Sequence, residues 1–158
     1  MKSRLAVQLL TLALLLPCTT AQAAPPPSVP DPALAAELGA DDRGMRKYIF
    51  VLLKTGPVRV HDGQERTEMF KGHFANMERL AKEKKLVAAG PFTGGTEWRG
   101  MFILAVPTVA EAEALVAMDP VIVKGEMVAE YQPLHASAAL MALNEIHEKI
   151  SPRQGGEP

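Results

Sequence analysis

The sequence predicts an α+β domain: a four-stranded antiparallel sheet of βαββαβ order, two helices on one face, and an extra helix at the C-terminus. Three observations predict it. Four apolar runs rich in β-branched and aromatic residues are separated by glycine, proline and polar punctuation. Two stretches between those runs carry apolar residues at helical spacing. Strand-helix-strand therefore occurs twice in succession, which is the split, ferredoxin-like plan.

The elements follow in order. "KYIFVLLK", from Lys47, is a continuous apolar run and reads as the first strand. The loop "TGPVRVHDGQ" follows, and a helix is expected from about Arg66 to Lys85, with Phe70, Phe74, Met77 and Leu80 along one stripe. "LVAAGPF" is the second strand, stopped by Gly90-Pro91; "TGGTEWRG" turns the chain; "MFILAV" is the third strand. Thr108 with Glu111 three residues on fits a capping box. The helix it opens should end at "MDP", because a residue before proline disfavours the helical region. "EMVAEYQPL" is the fourth strand, and Ser137 to Ile150 the final helix, with Leu140, Leu143 and Ile150 on one stripe.

Right-handed crossovers put both central helices on one face of the sheet. Tyr48, Phe50 and Leu52 then point one way from the first strand, and Ile49, Val51 and Leu53 the other. Both sets are apolar, so the second face also needs a cover. A homodimer stacked sheet to sheet, braced by the C-terminal helix, is expected.

The flanks read differently. Lys2 and Arg4, an apolar run from Leu5 to Leu16, and small residues at Ala21 and Ala23 make a secretory signal peptide over residues 1–23. That run is too short to span a bilayer. Cys18 follows Pro17, a poor match to a lipidation site, so it is expected to leave with the leader. The mature protein would then lie in the periplasm or outside the cell, with no membrane contact. A proline-rich linker covers 24–44, the domain 45–134, the C-terminal helix 135–150 and a frayed tail 151–158. A net charge of −1 lacks the basic footprint of a nucleic-acid binder.

One histidine stands out. His73 falls on the apolar stripe of the first long helix, where a titratable ring needs a partner. With the first strand running up, four features meet at the top. They are the start of that helix, the end of the next, the loop after the first strand, and the "GPFTGG" turn. Asp119 is expected at the end of the second helix, where it should face His73. At a helix C-terminus its carboxylate meets the negative end of the dipole, an unfavourable place that a nearby imidazolium would offset. An imidazole oriented by a carboxylate is the basic unit of acid-base catalysis. The bland reading is a turn-starting Asp-Pro and a hydrogen-bonded histidine at the edge of the core.

Other chemistries fit less well. His61, His73, His135 and His147 lack the paired spacing of a zinc site. "GPFTGG" precedes a strand rather than a helix, which fails the context of a phosphate loop. No G-x-S-x-G occurs.

"HFANMERLAKEKKLVAAGPF" followed by "MFILAVPTVAEAEALVAMDPVIVKGEMV" resembles the YciI-like, YCII-related family. That family has a histidine early in its first helix, a Gly-Pro after its second strand, and an Asp-Pro with glycine six residues past the aspartate. Here these are His73, Gly90-Pro91, Asp119-Pro120 and Gly125. The resemblance implies a dimeric α/β barrel with a pocket around His73 and Asp119 as catalytic pair and Gly90 and Pro91 as substrate-binding residues. The family includes a dehydrochlorinase of a chlorinated hydroxyquinol and is related to muconolactone isomerases. It thus implies proton transfer on small oxygenated rings, as a lyase or isomerase, with no cofactor and no metal. The chain departs from the family in its leader, in a longer 55–65 loop holding Arg59, His61 and Asp62, and in its C-terminal helix. A domain that binds a small molecule or a protein without catalysis is the competing expectation.

Overall fold

The computed structural model describes residues 29–95 and 97–151, so the expected leader and nearly all of the expected tail lie outside the described residues. The elements are α1 (Pro32–Glu37), β1 (Met45–Thr55), α2 (Gln64–Lys82), β2 (Leu86–Pro91) and β3 (Trp98–Leu104). They are followed by α3 (Val109–Val116), α4 (Pro120–Val123), β4 (Met127–Ser137), a 3-10 turn (Ala138–Ala142) and α5 (Leu143–Ile150). The sheet order is β2-β3-β1-β4, every pair antiparallel, which is the ferredoxin-like arrangement. Among the described residues no helix is long and apolar enough to cross a membrane.

The core lies between the sheet and α2, α3 and α4. Ile49, Val51 and Leu53 of β1 and Phe102 and Leu104 of β3 meet Met69 and Leu80 of α2 and Leu115 and Val116 of α3. On the other face, Phe50 pairs with Ile103 and Leu52 with Met101 across β1 and β3, and all four remain half-buried. From Ile49 to Lys54 burial alternates along β1, the core face fully buried and the other face half-buried, while Tyr48 is buried as well.

Four boundaries differ from expectation. Helix α2 stops at Lys82, because Lys84 turns into the left-handed region at φ 56° and redirects the chain into β2. Helix α3 stops at Val116, and a separate turn of helix, α4, begins after Asp119. Thr108 does cap α3, its hydroxyl accepting from the Glu111 amide at 3.2 Å.

Strand β4 runs past Pro133 to Ser137, where it pairs with Met45. β4 is an edge strand, so the missing proline amide costs no ladder hydrogen bond on its free side. The C-terminal helix therefore starts at Leu143, after the 3-10 turn, and not at Ser137. It packs against β2, anchored by Asn144 Nδ2 donating to the Leu86 carbonyl at 2.8 Å. Ala138 is buried and its amide donates to Gly44 at 2.9 Å, tying the end of β4 to the entrance of β1.

Candidate functional site

The two residues of the expected pair come together. His73 Nδ1 lies 2.9 Å from both Oδ1 and Oδ2 of Asp119. An ionised carboxylate only accepts, so Nδ1 carries the proton and donates. In the neutral form of the ring this leaves the lone pair on Nε2. Asp119 is fully buried and His73 is 7% exposed.

Local sequence explains the approach. Gly72 precedes His73, and a Cβ there would sit 2.8 Å from Cγ of Pro120. A side chain at that position would push α4 off α2; its absence brings Asp119 within reach of the imidazole. A glycine inside a helix costs about 1 kcal/mol relative to alanine, which close packing here offsets.

The surroundings of Asp119 correct one expectation. It does not end a helix; it caps the start of α4, with extended backbone and its Oδ1 accepting from the Val121 amide at 3.1 Å. Asn76 Nδ2, one turn after His73, donates to Oδ2 at 3.1 Å. Three donors thus hold the carboxylate, and it faces an amide rather than a row of carbonyls. The Asp-Pro pair that marked a helix end also marks a helix start, because proline is well suited to the first helical turn.

Aromatic rings hold the imidazole in place. Phe70 meets it edge-on at 6.1 Å, Phe102 stacks at 6.0 Å, and Phe74 lies tilted at 5.4 Å between centroids. Phe74 was expected on the buried stripe but is 61% exposed, standing at the rim instead. The opening is a cavity of about 360 Å³, lined by His73 together with Gly90, Pro91, Phe92, Arg99 and Phe102 among others. Both predicted substrate-binding residues, Gly90 and Pro91, line it. That volume lies at the lower end of the range for small-molecule sites. Among the described residues no group of three or more His, Cys, Asp or Glu is placed to hold a metal ion.

Sequence reasoning missed a second polar cluster beside the cavity. Glu126 is 1% exposed. Its Oε2 accepts from the Val60 amide at 2.8 Å, and its Oε1 accepts from Arg66 Nη1 at 2.7 Å. Arg99 Nη1 lies 3.6 Å from the same Oε1. Burial by itself raises the pKa of Glu126, but the Val60 amide and the two guanidinium groups outweigh it. The group is held below its ordinary value of 4.5.

The cluster also orders the long loop after β1. Val60 is buried, the Gly56 amide donates to the Glu126 carbonyl, and the Val58 amide donates to the Gly125 carbonyl. Of the loop residues expected to matter, Asp62 pairs with Arg66 Nε at 3.4 Å while remaining largely in solvent. An acidic residue wedged between Gly125 and the apolar start of β4 was the only local signal for Glu126.

Comparison with known proteins places the chain in a family. The model of the YCII-related domain matches residues 48–134, more than half of the chain. The chain belongs to the YCII-related family. No curated protein matches it. Among solved structures it is similar to the 5-chloro-2-hydroxyhydroquinone dehydrochlorinase from Burkholderia phenoliruptrix in complex with 2,5-dihydroxybenzoquinone. The two are 21% identical over 52% of this chain and 90% of that one, with a TM-score of 0.39. The matched YCII-related region holds all of β1 to β3 beyond the first residues of β1, the dyad, and Glu126.

Proposed function

We propose that this YCII-related protein is an exported, homodimeric lyase or isomerase that moves a proton on a small oxygenated substrate, aromatic or lactone, without a cofactor. The observation that carries the reading is the buried pair itself: Nδ1 of His73 donates to Asp119, and the same ring lines a cavity of about 360 Å³.

In this mechanism the Nε2 lone pair of His73 takes a proton from a carbon next to a carbonyl. The electron pair of that bond passes to the carbonyl oxygen as an enolate. The enolate then either regains the proton from the imidazolium at a different carbon, which is isomerisation, or expels a leaving group, which is elimination. Asp119 holds the ring in the productive tautomer and balances the charge that forms on it. Gly90 and Pro91 form part of the wall against which the substrate ring lies.

Turnover of a panel of catechols and lactones tests this directly. The expected result is at least one substrate whose turnover falls by about 10²- to 10⁴-fold in His73→Ala. Binding without turnover across the panel would instead support a non-catalytic small-molecule-binding domain.

Export and dimerisation belong to the same proposal. The leader pattern supports the first. The second is supported by the half-buried strip of Phe50, Leu52, Met101 and Ile103 on the face opposite the helices, which a second copy would cover. Light scattering on the chain beginning at Ala24 is expected to give a dimer, and Leu52→Glu a monomer.

A further inference from the structure

We infer that Arg99 is the anion anchor of the His73 cavity, and that the molecule bound there carries a negatively charged oxygen on a small ring. The inference rests on the cavity being the binding site, and it names the charge class of the ligand.

The first observation is the register of the sheet. Leu53 of β1 faces Gly100 of β3, yet the next residue, Lys54, faces Trp98. Arg99 is therefore the extra residue of a β-bulge, with no partner in β1. A bulge re-aims a side chain and is a common device at the rim of an active site. Here the side chain lines the cavity and approaches Glu126, whose other partners are Arg66 of α2 and the loop after β1. On its other side the bulge stays tied to β2, since the Phe92 amide donates to the Arg99 carbonyl at 3.1 Å.

The second observation is how Glu126 is engaged. Its two oxygens already hold Arg66 and the Val60 amide at 2.7 and 2.8 Å. Arg99 stands at 3.6 Å, outside hydrogen-bond length. The carboxylate steers the guanidinium electrostatically without taking up its donors. Arg66 cannot serve instead, because its Nη1 is committed to Glu126 and the Val60 carbonyl and its plane covers the Phe70 ring at 4.9 Å.

The third observation is the charge of the wall. Of the described residues lining the cavity, His73 and Arg99 alone are ionisable, and no carboxylate is among them. The rest of the lining is aromatic rings, methionine, leucine, glycine and proline. Such a wall favours a flat apolar ring, while a planar guanidinium fork matches a carboxylate or an ionised phenol. The base and the anion anchor then address one ligand from the same cavity. A negative oxygen held by Arg99 would also be where enolate charge gathers, so the anchor would serve the transition state as well as binding.

The test uses the full mature chain and three probes: benzoate, 4-nitrophenolate and the neutral isostere benzamide. Binding is read by calorimetry and by the shift of the His73 ring proton signals in NMR. Benzoate or 4-nitrophenolate is expected to bind more tightly than benzamide, and whichever binds identifies the oxygen as carboxylate or phenolate. Arg99→Gln should cut affinity for that anion by about 10- to 100-fold while leaving benzamide unchanged. Arg99→Lys should restore part of it. Thermal melting of each variant guards against loss of fold.

Equal affinity for benzoate, 4-nitrophenolate and benzamide overturns the inference. So does a preference that survives Arg99→Gln, or no binding of either anion to the wild-type chain. Failure of the proton-transfer reading looks different: the anion preference persists, but no ring substrate turns over in the wild-type protein.

Discussion

Two buried carboxylates stand on either side of α4, and they are used in different ways. Asp119 caps the start of that helix and holds an imidazole, a group that can gain and lose a proton near neutral pH. Glu126 follows its end and holds a guanidinium and a backbone amide, neither of which titrates in that range. The first arrangement can take part in proton transfer. The second can only fix geometry, and what it fixes is the loop after β1 and the position of two arginines. A buried carboxylate is thus not by itself a mark of chemistry; the partner decides.

The sharpest break between the two is expected from their amides. Asp119→Asn should cut turnover by about 10²-fold or more while leaving most of the stability, because an asparagine can still accept from Val121. Nitrogen-detected NMR of the His73 ring checks the cause, since the wild-type tautomer with its proton on Nδ1 should give way to a mixture. An unchanged tautomer would show that Asp119 does not orient the ring.

Glu126→Ala should do the reverse. It leaves Arg66 and the Val60 amide without their acceptor and should destabilise the fold by about 3 kcal/mol, read from urea unfolding. A stability close to wild type would reduce the cluster to an incidental contact.

Gly72→Ala comes next in size. The added methyl meets Pro120, so α4 must shift and the His73–Asp119 contact must lengthen. A loss of about 1 to 3 kcal/mol is expected, despite the better helix propensity of alanine. A gain in stability would mean that α2 and α4 are free to slide.

The smallest effect is in pH. The pKa of Glu126 is lowered on folding, so the unfolded chain binds the proton more readily. Its contribution is complete above pH 4.5 and is lost as the pH falls below that toward the folded value. Urea midpoints at pH 6 and pH 3.5 should therefore differ less in Glu126→Gln than in wild type.

How far these features could be read in advance follows from their range along the chain. The dyad was legible because two separate signals converged on it. A histidine on an apolar stripe needed a partner, and the alternation of strands and helices brought the end of the α3 segment to the same end of the sheet. Even there the local reading went astray. "MDP" looked like the end of one helix, whereas Asp119 is the cap of another. The Phe74 position shows the same limit: periodicity placed it inward, but it stands at the rim, where the stripe leaves the core and borders the cavity.

The Glu126 cluster was not legible at all. Arg66 and Glu126 are 60 residues apart, and neither breaks a local pattern strongly enough to ask for the other. Arg99 lay in a stretch that read as a turn, and its bulge depends on the register of β3 against both β1 and β2. β4 likewise read as ending near Pro133; only its pairing with the full length of β1 carries it to Ser137.

The order of the elements and the faces of β1 were determined by the sequence alone, because hydrophobic period and turn chemistry act over a few residues and survive in any one chain. The tertiary structure decided which buried charge meets which, where a strand slips by one residue, and how closely two helices approach. Those depend on distances between segments far apart in the chain, set only when the whole sheet has closed on its helices.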